Sequence, residues 1–153
     1  MTFFLERKQD LSVYYLIKDL FETDTFITVV DDFPVTELDI PTISIENSAY
    51  FVEWYELGNR KGVDTRTWFI NIFAENKSQR DDYAYLIKNE VQNGIPVYDY
   101  EEGFPPDVSP TQLGSMGILE LRVEPIRVDP DSVSTLYWRT QITVVARYNK
   151  PLE

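Results

Sequence analysis

The sequence predicts an α+β fold, a mostly antiparallel sheet of about six strands with two helices packed on one face. Three observations predict it. Two stretches carry apolar residues at helical spacing, the chain between and after them is rich in β-branched and aromatic residues, and those runs are divided by turns bearing proline or glycine. A length of 153 residues suits one domain over 1–153, with a hydrophobic core of ordinary size.

The elements follow in order. "SVYYLIKDLF" places Val13, Leu16, Ile17 and Leu20 at i, i+3, i+4 and i+7, which predicts an amphipathic helix over roughly residues 4–22. "TFITVV", "TISIEN", "YFVEWYEL" and "TRTWFINIFA" read as strands, parted by turns at Pro34, at Pro41 and between Gly58 and Gly62. The runs 50–57 and 66–74 form a predicted hairpin with Asn59, Arg60 and Lys61 at its tip. Trp68, Ile70 and Ile72 alternate with Phe69, Asn71 and Phe73, so both faces of that strand carry large side chains and it belongs in the middle of the sheet.

The second helical pattern is Tyr83, Leu86, Ile87 and Val91. Ser78 followed three residues later by Asp81 has the form of a capping box before it. Adjacent helical residues diverge by about 100°, so Asp81 and Asp82 cannot converge on one proton or ion. They read as the acids of a first turn rather than a catalytic pair or metal site. Gly94 suits the helix end, and "IPVYDY" restarts an extended chain.

Residues 101–117 carry three prolines, three glycines and no period, which predicts a long loop. Phe104 and Leu113 upon it are candidates for contact with a neighbouring molecule, the alternative being a plain surface excursion. The last predicted hairpin pairs "ILELRVEPIRVDP" with "TLYWRTQITVVARYN". On its first strand Glu120, Arg122 and Glu124 face away from Leu119, Leu121 and Val123. On the second, Trp138, Ile142, Val144 and Ala146 oppose Arg139, Gln141, Thr143 and Arg147. Arg122, Arg127, Arg139 and Arg147 lie here as candidate partners for acids elsewhere, within the subunit or across an interface.

The formal net charge is −12, and it is segmental: no Lys or Arg stands between Lys18 and Arg60, or between Lys88 and Arg122. Such a surface does not grip phosphate backbones. Asp31, Asp32, Glu101 and Glu102 are candidates for an acidic surface or lumen, the plainer reading being solvated carboxylates. The sequence has neither cysteine nor histidine, which removes disulfides, thiol chemistry, the commonest general base and the commonest transition-metal ligand. "LGSMG" lacks both the Lys-Ser/Thr of a P-loop and the spacing of a dinucleotide fingerprint. No cofactor, no metal site and no catalytic residue is nominated, and neither signal peptide nor membrane span is predicted. The 10 tyrosines, 9 phenylalanines and 3 tryptophans lean towards association.

The segment "TRTWFINIFAENKSQRDDYAYLIKNEVQNGIPVYDY", with Asn76, Arg80, Asp81 and Asp82 in its connector and helix, resembles the middle of tail-terminator and neck (tail-completion) proteins of tailed bacteriophages. The resemblance implies a non-catalytic α/β subunit of the virion, made in the host cytoplasm. It would assemble as a ring, typically a hexamer, that caps the tail tube and meets the head-tail connector proteins. On that reading the acidic runs line a bore through which DNA passes without specific binding, and ring closure joins two different patches of the chain. The alternative is a small carbohydrate- or peptide-binding module with Trp54, Tyr55 and Trp68 as its stacking platform.

Overall fold

In the central strand of the sheet, Trp68, Ile70 and Ile72 are buried on one side and Phe73 and Asn71 on the other. The computed structural model describes residues 3–23, 27–31, 41–53, 63–126 and 138–149. Its elements are α1 (Leu5–Leu20), β1 (Thr28–Val30), β2 (Thr42–Glu53), β3 (Val63–Ala74), α2 (Lys77–Val91), β4 (Ile95–Asp99), β5 (Thr111–Ile126) and β6 (Trp138–Asn149). The strands form one six-stranded sheet in the order β1-β2-β3-β6-β5-β4. Among the described residues only β1–β2 is parallel; every other pairing is antiparallel. The predicted α+β class and the central place of β3 both hold.

One core cluster joins Val13 and Ile17 of α1, Ile87 and Val91 of α2, and Ile43, Ile70, Ile142 and Val144 of the sheet. In register, Ile45, Ile70, Ile142 and Val123 make one row across four strands, so the apolar side chains stack beneath the helices. Helix α2 lies on β3, β6 and β5, whereas α1 touches β4 at one edge and β1 and β2 at the other. The sheet therefore curls, and α1 bridges its two edges. Phe21 at the end of α1 meets Tyr83 of α2 edge-on, with ring centroids 5.2 Å apart.

The β4 edge is blunted by three devices. Pro96 offers no N–H. The backbone N–H of Tyr98 donates to Ser12 Oγ of α1 at 3.1 Å, and Ser12 in turn donates to the Lys8 carbonyl at 2.7 Å. Lys8 Nζ reaches Asp99 and Glu101, each at 3.2 Å. Burial pulls the Lys8 ammonium down, but the hydrogen bonds and charge of Glu101 and Asp99 outweigh it and hold its pKa above the ordinary value.

Several expectations are corrected. "TISIEN" and the start of "YFVEWYEL" are one strand, because a bulge between Asn47 and Tyr50 absorbs the slip in alternation. The loop is shorter than 101–117: β5 begins at Thr111, and Gly114 and Gly117 hid its period by contributing no side chain. A bulge against Val97 and Tyr98 leaves Leu113 as the extra, half-buried residue on that strand. A second bulge at Ile118 and Glu120 does the same to Leu119, which is 52% exposed while Leu121 and Val123 keep to the core. Trp138 opens β6 at 44% exposure, its indole under the Arg80 guanidinium at 5.4 Å, and is not core.

Ser78 and Asp81 do not cap α2. The cap is Asn76, whose side chain accepts from the Gln79 N–H at 2.8 Å, while Gln79 Oε1 accepts from the Glu75 N–H at 2.8 Å. The reciprocal pair sits two residues upstream of the predicted one, since Asn at the cap with Gln at N3 competes better than Ser with Asp. Asp81 instead pairs with Arg80 Nε at 3.0 Å, and the first turn holds no acid. Asn76→Ala is expected to cost about 1 kcal/mol in urea unfolding and Ser78→Ala only a few tenths. Equal losses would contradict this assignment. At the other end Gly94 takes φ 97°, and its N–H donates to the Val91 carbonyl at 2.9 Å.

Candidate interaction groove

Residues 100–110 fold back over α1 and build the largest aromatic assembly among the described residues. The rings of Tyr15 and Tyr100 stack with centroids 5.4 Å apart, and Phe104 stacks on both, at 6.2 Å from Tyr15 and 5.9 Å from Tyr100. Tyr98 meets Tyr100 edge-on at 6.4 Å, and Phe3 approaches Phe104 at 6.2 Å. Gly103 allows the tight fold-back: its φ is +143°, and a Cβ there would stand 2.6 Å from Val108 Cγ2. Phe104 is thus packed against its own chain and still 40% exposed.

Beside this cluster runs a groove in two connected parts that share Tyr15, Asp19, Pro105 and Pro106. The part over β4, about 300 Å³, also takes in Pro96 and Tyr98. The part towards β1, about 560 Å³, takes in Lys18, Glu22, Ile27 and Val29. The floor is apolar and aromatic, and the rim carries Asp19 and Glu22. Burial pushes the Asp19 carboxyl above the ordinary carboxylate value and the neighbouring Glu22 charge adds to it, against the pull of Lys18. Lys18 itself leans over the Tyr14 and Tyr15 rings at 5.5 and 5.9 Å.

Burial likewise raises the Tyr15 phenol, against the pull of Lys18. It pushes Tyr100 up to about 12, a hydrogen bond with Ser12 opposing it. An absorbance titration is expected to show one tyrosine ionising near pH 12 in the folded chain. The unfolded phenol titrates near 10.0, so the advantage held by the folded state is intact below that pH and is lost as pH rises towards about 12. Ionisation of every tyrosine near pH 10 with the fold intact would contradict the packing.

A second polar centre lies on the other flank of α1. Asp10 Oδ1 accepts from Arg66 Nη2 at 2.8 Å and from the Trp68 indole N–H at 2.9 Å. Arg66 Nη1 also donates to Gln9 Oε1 at 3.1 Å and to the Glu6 carbonyl at 3.0 Å. This clamp fastens α1 to β3 and was missed from sequence. The signal was available, because Arg66 shares the inward alternation of Trp68, Ile70 and Ile72, and Asp10 lies one turn before Val13 and Tyr14 on the buried stripe. Trp68 is 1% exposed and tied to Asp10, so it is core and cannot serve as a stacking platform. Trp54 and Tyr55 lie outside the described residues.

Of the acidic candidates, Asp31 lines a polar pocket of about 60 Å³ with Arg7 and Asp10. Glu101 is ion-paired with Lys8 on the opposite flank, Glu102 is exposed, and Asp32 lies outside the described residues. They do not form one wall. The arginines fare differently: Arg122, Arg139 and Arg147 occupy the helix-free face of the sheet, opposite Thr143, Phe73 and Thr65 respectively. Arg122 bridges Glu120 and Glu124 at 3.0 and 3.3 Å. Arg139 donates to Asn71 Oδ1 at 3.1 Å and stands over Phe73 at 5.1 Å. Arg147 is half-buried, and Arg127 lies outside the described residues. Among the described residues no cluster of three metal-ligating side chains occurs, and no helix is long and apolar enough to cross a membrane.

No family model and no curated protein matches the sequence. Among solved structures, a chain described as "Virion of native gene transfer agent (GTA) particle" is similar over 96% of this chain and 97% of that one, with a TM-score of 0.48 and 13% identity. A likeness at that level carries no functional argument.

Proposed function

We propose that the chain is a non-catalytic structural subunit of a phage-like particle, a tail-terminator or neck protein that acts by shape and charge. The observation that carries this reading is the separation of surface chemistry on one small fold. An acid-rimmed aromatic groove runs along α1, an apolar patch of Tyr85 and Leu86 stands on α2, and an arginine-bearing sheet face lies opposite the helices. Distinct patches of this kind suit a heterologous contact, in which one patch meets a different patch of the next copy and rotation closes a ring. The segment that resembles terminator proteins folds as β3, α2 and β4, a strand, helix and strand in the order the resemblance implies.

On this reading the ring, hexameric by the resemblance, sits at the end of the tail tube and meets the head connector in the virion. A bore that shares the negative sign of the chain, −12 in total, lets DNA pass without adhering, though Asp31 and Glu101 lie on opposite flanks of α1 and do not line it together. The whole chain, 1–153, acts as one domain. Negative-stain electron microscopy of the purified protein mixed with tail tubes from the particle that carries it is the test. Rings seated on tube ends are expected; bare tube ends beside dispersed monomers would overturn the reading.

A further inference from the structure

Strand β5 is longer than its outer neighbour. β4 lies beside Thr111–Met116 alone, so along residues 117–126 no strand, among the described residues, pairs with the outer edge of β5. Leu119, Glu120, Arg122, Glu124 and Pro125 are exposed there. The ladder tells which way the backbone groups look. The Thr28 N–H donates to the Pro41 carbonyl at 3.2 Å, so Pro41, Ile43 and Ile45 turn their backbone groups away from β3 and towards β1. Carried along the row Ile45, Ile70, Ile142 and Val123, the alternation turns the N–H and C=O of Val123 away from β6. Leu121 and Pro125 share that parity, and a proline suits such a place because it has no N–H to offer a ladder. Leu121 and Val123 thus present unpaired donors and acceptors at an open edge.

We propose that this edge pairs antiparallel with the same edge of a second copy, about a two-fold axis through Val123. Register decides it. Centring the pair on Arg122 or on Glu124 sets that residue against its own counterpart, like charge directly opposite like charge. Centring it on Leu121 drives Ile126 of the second copy into the place that β4 holds beside Met116. Centred on Val123, the pair avoids both: Arg122 of each copy faces Glu124 of the other, and Val123 meets itself. Val123 then exchanges both backbone bonds with its counterpart, and the Leu121 N–H of each copy donates to the Pro125 carbonyl of the other. The apolar row through Ile45, Ile70, Ile142 and Val123 runs on from one sheet into the next. Within one chain Arg122 is shared between Glu120 and Glu124 on an exposed surface, an arrangement that holds it only weakly. A two-fold joint closes on two copies, so it belongs to the chain before assembly and goes beyond the ring reading.

Analytical ultracentrifugation of the purified chain, without tail tubes, is expected to show a monomer–dimer equilibrium. Arg122→Glu and Glu124→Arg are each expected to weaken dimerisation at least about threefold, since either sets like charges opposite one another twice. Mixing the two variants is expected to restore it, because every opposed pair is then again one acid and one base. The sequence has no cysteine, so cross-linking reports the register. Under mild oxidation Val123→Cys is expected to link two copies at least about tenfold faster than Glu120→Cys, which stands opposite Ile126 in this register. Circular dichroism verifies the fold of each variant. Dimers that ignore the charge changes, or that Glu120→Cys links as fast as Val123→Cys, would overturn the joint. A chain that stays monomeric at every concentration would overturn it too and leave the edge to a strand of another protein. Rings on tube ends built from such a monomer keep the ring reading, whereas dimers in solution beside bare tube ends remove the ring alone.

Discussion

Ile70→Ala is expected to lower the stability of the fold by roughly 2–5 kcal/mol, read as a fall in the urea midpoint at unchanged slope. Ile70 is fully buried in the middle of β3, flanked in register by Ile45 and Ile142. Both helices reach the same cluster, so the cavity opens where sheet, α1 and α2 meet. Close packing by residues on three elements leaves little room for collapse, and the cost belongs towards the upper part of that range. Phe69→Ala, at a half-buried residue on the helix-free side of the same strand, is the control and costs less. A loss at Ile70 below that at Phe69 would mean that the core lies on the other face.

Asp10→Ala is expected to cost about 3 kcal/mol, the lower end of the range for breaking a buried ion pair. The reason is what stays behind. Arg66 is 5% exposed and loses the Asp10 carboxylate, and the Trp68 indole N–H loses its Asp10 acceptor. Gln9 and the Glu6 carbonyl still accept from the guanidinium, and Asp10 is about a quarter exposed, which keeps the loss from the upper end. A double variant, Asp10→Leu with Arg66→Met, is expected to recover much of the loss, since neither member of the pair then leaves its charge behind. If both single changes cost less than 1 kcal/mol, α1 is held to the sheet by its apolar stripe alone.

Elements with a strong period were legible from sequence. Both helices lie within two residues of their expected bounds, and the alternation of Trp68, Ile70 and Ile72 identified the central strand. The misses on the sheet come from a local rule overridden by an irregular residue, whereas Leu86, expected on the apolar stripe of α2, is 45% exposed because Ala84, Ile87 and Val91 carry that stripe instead. Two bulges on β5 shifted Leu113 and Leu119 out of alternation, and two glycines disguised the start of that strand as loop. The α2 cap lies two residues before the predicted one because Asn76 with Gln79 stands just upstream of Ser78.

Candidate contact residues were less legible, because they depend on what the chain brings together from afar. Phe104 was singled out on its loop, but Tyr15, its stacking partner, is 89 positions earlier on α1. The groove exists only once residues 100–110 lie across that helix. Arg122, Arg139 and Arg147 share a face because the β5–β6 pairing sets their parity, whereas Asp31 and Glu101 are divided by α1. Net charge alone reported acidity without its geography.

The claim on which everything turns is that the chain is built into a particle. Quantitative peptide mass spectrometry of purified particles, with isotope-labelled standards from this sequence, tests it directly. A fixed, small whole-number copy count per particle, retained through density-gradient purification, is predicted. Recovery of the chain only from the soluble fraction of the producing cells, with none in the particles, would contradict it.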